Sequence, residues 1–146
     1  MKFKGHIDIN QTIEIVTQLF ADPNSKKEYQ DDFIRAELLS GEEGKEGAHS
    51  KLFYKDQNRE MILEETIIKN NLPTSFEAFY HHEHMDNTMK CRFIALGKNQ
   101  TRYETEVEYT RMNWIIPKLM AILFPSIYKK QARKWMENFK AYAERQ

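Results

Sequence analysis

The stretch Trp114–Gln146, WIIPKLMAILFPSIYKKQARKWMENFKAYAERQ, decides how this chain folds. Phe124, Ile127, Tyr128, Gln131, Trp135, Phe139 and Tyr142 recur at three- and four-residue steps, which gathers them on one helical face. The spacing predicts a short helix over Asn113–Leu123, where Pro117 is tolerated in the first turn. Pro125 is expected to break the chain there, and a long helix follows over about Ser126–Arg145. A helix of about twenty residues spans about 30 Å, enough to cross a small sheet.

Upstream the pattern is almost entirely of period two. Phe3, Gly5, Ile7 and Ile9 alternate with Lys4, His6, Asp8 and Asn10, a first strand. Gln11–Ala21 switches to helical spacing, with Ile13, Val16, Leu19 and Phe20 on one face and Thr12 or Asn10 as the cap. Asp22-Pro23-Asn24-Ser25 stops that helix and starts a second short one through about Gln30. Strands are expected over about 33–40, 47–55, 59–70, 75–83, 86–96 and 101–111, with turn residues between them. In the last, Tyr103, Thr105, Val107 and Tyr109 face one way and Arg102, Glu104, Glu106 and Glu108 the other. The expected class is α+β: a curved antiparallel sheet of about seven strands around a long C-terminal helix, with two short helices between strands 1 and 2. No repeat or linker interrupts it, so residues 1–146 are expected to form a single domain.

Composition narrows the classes. Forty per cent of the residues are hydrophobic and 12% aromatic, which argues against disorder. The net charge is zero, yet it is divided: from Arg111 onward eight Lys/Arg face two Asp/Glu, leaving 14 against 20 before it. A solvated helix face is the simpler reading of that basic end. The single cysteine, Cys91, excludes an internal disulfide and fits a reducing compartment. Met1–His6 has no signal-peptide core, and the apolar run Trp114–Phe124 is interrupted and shorter than the roughly 20 residues a bilayer needs. A cytoplasmic protein is expected. The basic residues are not interleaved with exposed strand aromatics, so nucleic acid is not expected as a partner. Lys118, Lys129, Lys130, Arg133 and Lys134 near the apolar run suit contact with a membrane surface, but a gate over the interior is preferred.

Few residues offer chemistry. His81, His82 and His84 are the only dense histidine cluster, and they fall where a hairpin turn is expected. Exposed turn histidines are the reading; no metal and no cofactor are expected. Glu64 and Glu65 interrupt the alternation of Met61 and Leu63. With register kept, Glu65 points inward as a candidate acid or base; with a bulge, Thr66 and Ile68 turn in instead. The bulged or exposed reading is the expectation. Cys91 shares the inward set with Asn87, Met89 and Phe93 and reads as a small hydrophobe. Tyr54, Tyr80, Tyr103 and Tyr109 bring apolar bodies and polar tips to the inward face. Such tips suit either a ligand with a few oxygens or a filled core in which the tyrosines bond each other.

The element order, together with Asp22-Pro23 and Glu28-Tyr29, Leu38-Leu39-Ser40-Gly41 before Gly47, Asn71-Leu72-Pro73 before a strand, and Arg133–Phe139 in the last helix, resembles the START-related, polyketide-cyclase-like superfamily (SRPBCC) over the whole chain. One departure is Tyr29, where relatives often carry Trp. The resemblance implies a helix-grip fold and a hydrophobic or amphipathic ligand, lipid-like or polyketide-like, held between helix and sheet. Its expected lining is Tyr54, Met61, Leu63, Phe76, Tyr80, Met89, Phe93, Tyr103, Thr105, Phe124, Tyr128, Gln131 and Trp135, with entry near Tyr29 and the Pro117–Pro125 segment. Three functions follow as alternatives: a binding protein; a cyclase or hydratase polarising a carbonyl with Glu65, Asn87 or Tyr103; or an interaction module using a sheet edge or the Met112–Phe124 patch. Monomer and homodimer are both compatible with the sequence.

Overall fold

The computed structural model describes residues 2–112 and 118–146, with side chains described outside 113–128. The order is β1 (Lys2–Ile9), α1 (Ile13–Ala21), a 3-10 turn (Pro23–Ser25), α2 (Lys26–Tyr29), β2 (Phe33–Ser40), β3 (His49–Asp56), β4 (Arg59–Asn71), β5 (Ser75–His82), β6 (Met85–Gly97), β7 (Gln100–Met112) and α3 (Lys118–Glu144). All seven strands form one antiparallel sheet, β1-β7-β6-β5-β4-β3-β2. β2 to β7 follow one another as a meander. β1 closes onto β7, and α1 and α2 carry the chain from one edge of the sheet to the other.

Local chemistry sets the element ends. Thr12, not Asn10, caps α1: its Oγ1 accepts from the Ile15 N–H at 3.3 Å. Asp22 accepts from the Asn24 N–H at 2.9 Å while Pro23 opens the next turn. On the outer face, Lys2 and Lys4 each reach Glu106 at 3.2 Å, and Arg102 forks onto Asp8 at 2.8 and 3.1 Å.

One end of the interior is densely packed. Phe20 meets Phe76, Phe93 and Phe139 edge-on at 5.4, 5.1 and 6.3 Å, and Phe93 stacks on Tyr103 at 5.1 Å. Ile9, Val16, Cys91 and Ala143 complete this core. Several hydrogen bonds tie down the last turns of α3, among them Lys140 Nζ donating to Asp8 O, Asn138 Nδ2 to Tyr29 O, and Gln11 Nε2 to Ala143 O, at 2.5, 3.2 and 3.2 Å.

Two expectations are corrected. Pro125 does not end a helix: α3 is continuous from Lys118 to Glu144, in place of a short helix, a break and a second helix. Proline removes a single N–H donor, and a helix of 27 residues keeps the bonds on either side of it. Residues 113–117 of the expected short helix lie outside the described residues. Tyr29 is not at an entrance: it is 8% exposed and packs edge-on against Phe139 at 5.0 Å. No helix among the described residues is long and apolar enough to cross a membrane.

Candidate functional site

Strand register builds the site. Glu65 lies opposite Tyr80, Tyr80 opposite Asn87, and Asn87 opposite Tyr109, so one row crosses four strands on the face toward α3. The expectation for Glu65 is thereby overturned. The β3–β4 register holds without a shift from Arg59 to Thr66, and the irregularity falls later, between Ile67 and Lys69. Glu65 therefore points inward, with its side chain 13% exposed, while Ile68 turns out to solvent.

Glu65 is held by two groups. The Tyr80 hydroxyl donates to its Oε2 at 2.7 Å, and Lys26 Nζ stands 4.0 Å from the same oxygen. Its Oε1 makes no hydrogen bond among the described residues. Burial, with the Glu65 charge beside it, pushes the Tyr80 hydroxyl well above the ordinary phenol range, so Tyr80 stays a donor. Tyr54 donates to Gln30 Oε1 at 2.7 Å, and burial raises its hydroxyl in the same way. Lys26 and Gln30 were not legible in the sequence. Lys26 opens and Gln30 caps a four-residue helix, too short for periodicity to say which way a side chain points.

From the opposite wall, α3 presents Gln131 and Trp135, one turn apart. The Trp135 indole stacks on Tyr54 at 5.9 Å. Trp135 Nε1 and Gln131 Nε2 are both buried, and neither has a hydrogen-bond partner among the described residues. Water, a neighbouring side chain or a ligand oxygen normally satisfies such donors.

The other candidates separate into two groups. Phe93, Tyr103 and Thr105 sit at the packed end: the Tyr103 hydroxyl is 3.5 Å and Thr105 Oγ1 3.8 Å from Cys91 Sγ. Burial pushes the Cys91 thiol up to about 11, which leaves it protonated and inert at neutral pH. Phe76 and Met89 are half-buried and pack against that core, while Met61, Leu63 and Asn87 are half-buried farther along the same inner face. The side chains of Phe124 and Tyr128 lie outside the described residues. Among the described residues, burial thus falls from complete at Phe139 to partial at Met61, Leu63 and Gln131.

His81, His82 and His84 bracket the β5–β6 turn. His81 Nδ1 is 2.6 Å from Asp86 Oδ1, and Arg111 forks onto the same carboxylate at 2.8 and 3.1 Å. Among the described residues no group of three or more His, Cys, Asp and Glu could hold a metal ion. A recess near the β2–β3 loop, lined by Glu43, Gly44, Lys45, Glu46 and Asn70, lies on the surface away from the Glu65 row.

No family model matches the chain, and no curated protein matches its sequence. Solved structures do match in fold. The Zhui aromatase/cyclase from Streptomyces sp. R1128 aligns with a TM-score of 0.81 at 9% identity, covering 99% of this chain and 94% of that one. Ara h 8.0201 aligns with a TM-score of 0.79 at 10% identity, covering 100% and 99%. A START superfamily protein from Mycobacterium smegmatis aligns with a TM-score of 0.72 at 12% identity, covering 98% and 94%. These likenesses establish a helix-grip fold.

Proposed function

We propose, on the premise of this helix-grip fold, that the protein binds a hydrophobic or amphipathic small molecule between α3 and the looser half of the sheet. One observation carries the reading: Trp135 Nε1 and Gln131 Nε2 are buried, without partners among the described residues, on the wall that faces the sheet. Each such donor costs about 1–3 kcal/mol while unsatisfied. An oxygen on a bound molecule would remove that cost, while its apolar body would cover Met61, Leu63 and Met89, which are half-buried on the opposite wall. Binding of this kind agrees with the ligand-holding geometry of the fold.

The test is native mass spectrometry of protein purified without detergent. The expected result is an adduct lost on denaturation, or, for stripped protein, saturable binding of an apolar fluorescent probe. Protein that runs at its bare mass and leaves the probe unbound would refute the reading. A second reading, a cyclase or hydratase, is favoured by the Glu65–Tyr80 pair, since a desolvated carboxylate beside a fixed hydroxyl can move a proton next to a bound carbonyl. Turnover abolished by Glu65→Gln, with ligand binding retained, would decide for it.

A further inference from the structure

We propose that Glu65 selects what enters: its free Oε1 takes a hydroxyl or phenol O–H from the ligand and turns carboxylate ligands away. This rests on the proposed binding reading and deepens it. Three observations lead there. First, Glu65 commits one oxygen only: Oε2 accepts from Tyr80 at 2.7 Å and faces Lys26 at 4.0 Å, whereas Oε1 makes no hydrogen bond among the described residues. Second, the carboxylate is set deep. Its side chain is 13% exposed and that of Lys26 20% exposed, so water solvates the pair poorly and a further hydrogen bond to it is worth more than at the surface. Third, the α3 wall holds two buried donors without partners among the described residues, Trp135 Nε1 and Gln131 Nε2.

The interior therefore presents an acceptor on the sheet side and two donors on the helix side. A neutral molecule with an O–H at one position and an oxygen acceptor at another satisfies both. A fatty-acid-like carboxylate satisfies the donors and leaves two anions sharing a poorly solvated space. Lys26 does not reverse this preference, because its charge is already set against Glu65. Tyr80 fixes the carboxylate's orientation and is a positioning residue.

Three probes of one shape separate the possibilities: 1-naphthol, 1-methoxynaphthalene and 1-naphthoate, followed by titration calorimetry at about pH 7, where a phenol is neutral and a carboxylate charged. The native protein should bind 1-naphthol about tenfold or more tightly than 1-methoxynaphthalene, as expected for a hydrogen bond to a charged acceptor. It should bind 1-naphthoate weakest. Glu65→Gln should shrink the naphthol preference and raise 1-naphthoate affinity about tenfold, a gain that a misfolded variant cannot produce. Equal affinity for naphthol and its methyl ether, or no gain for naphthoate in Glu65→Gln, overturns the role of Glu65 and leaves the binding reading standing. Failure of all three probes to bind overturns both.

Discussion

The indole of Trp135 lies on the ring of Tyr54, 5.9 Å between centroids and 18° between planes, while its Nε1 finds no partner among the described residues. Tyr54 spends its own hydroxyl on Gln30 at 2.7 Å. The apolar surfaces of the two residues are matched, and their polar tips are not. Stability and binding therefore make different demands on Trp135.

That difference can be measured with two substitutions. Trp135→Ala should destabilise by about 3–5 kcal/mol, read as a lower denaturation midpoint. Trp135→Phe keeps an aromatic ring against Tyr54 and removes the unsatisfied N–H. Its unliganded stability should stay within about 1 kcal/mol of native or rise, while affinity for an oxygen-bearing ligand falls about fivefold or more. Equal losses of stability in both variants would show that the N–H is satisfied in solution.

The two ends of the interior should answer oppositely to a change of volume. Phe139→Ala, at a residue 1% exposed in the aromatic cluster, should cost about 3–5 kcal/mol. Leu63→Trp, on the half-buried inner face of β4, should reduce apolar-probe affinity about tenfold with little change in melting temperature. A large fall in melting temperature for Leu63→Trp would mean that the looser end is filled.

Asp86 gives a pH signature. The Arg111 guanidinium, aided by His81, holds its carboxyl below the usual carboxylate range. Because the folded value is depressed, the stabilisation is present above the unfolded value of about 3.9 and is lost as pH falls through the folded value. The melting-temperature gap between native protein and Asp86→Asn should be constant above about pH 5 and close below about pH 4. A gap that persists at the acid end would exclude this ion pair as its source.

Cys91 should be silent in the folded state. Its thiol is raised from 9.0 to about 11, so the folded chain holds that proton where the unfolded chain has lost it. The associated stability is full below the unfolded value of 9.0 and declines as pH rises toward about 11. A thiol reagent at about pH 8 should react only as fast as the chain opens, and denaturant should release one equivalent at once. Rapid labelling of the native protein would contradict this.

Most of the fold was legible because alternation of period two is a direct record of a sheet with two different faces. The strand bounds around Phe33–Ser40, Ser75–His82 and Gln100–Met112 follow from it. Alternation cannot say where an extra residue sits, and Ile67 and Ile68 are equally apolar. The bulge cannot be placed from their chemistry, so the sequence leaves both faces open for Glu65 and tips the expectation toward the exposed one. Pro125 misled for a related reason: its preference is local, and a long helix outweighs it. The closure of β1 on β7 left a trace, the Lys2 and Lys4 charges opposite Glu106, but charge alone names no partner strand. The unsatisfied donors of Gln131 and Trp135 could not be foreseen, since a missing partner is a property of three-dimensional space.

The uneven filling of the interior has an evolutionary consequence. Phe20, Phe93, Tyr103 and Phe139 make the aromatic cluster at one end, whereas Met61, Leu63 and Glu65 stand half-buried at the other. If the proposed binding holds, folding and recognition fall to different residues of one interior. Substitutions at Met61 or Leu63 would then change which ligand is taken while the aromatic cluster keeps the chain folded, so a lineage could change ligands one residue at a time.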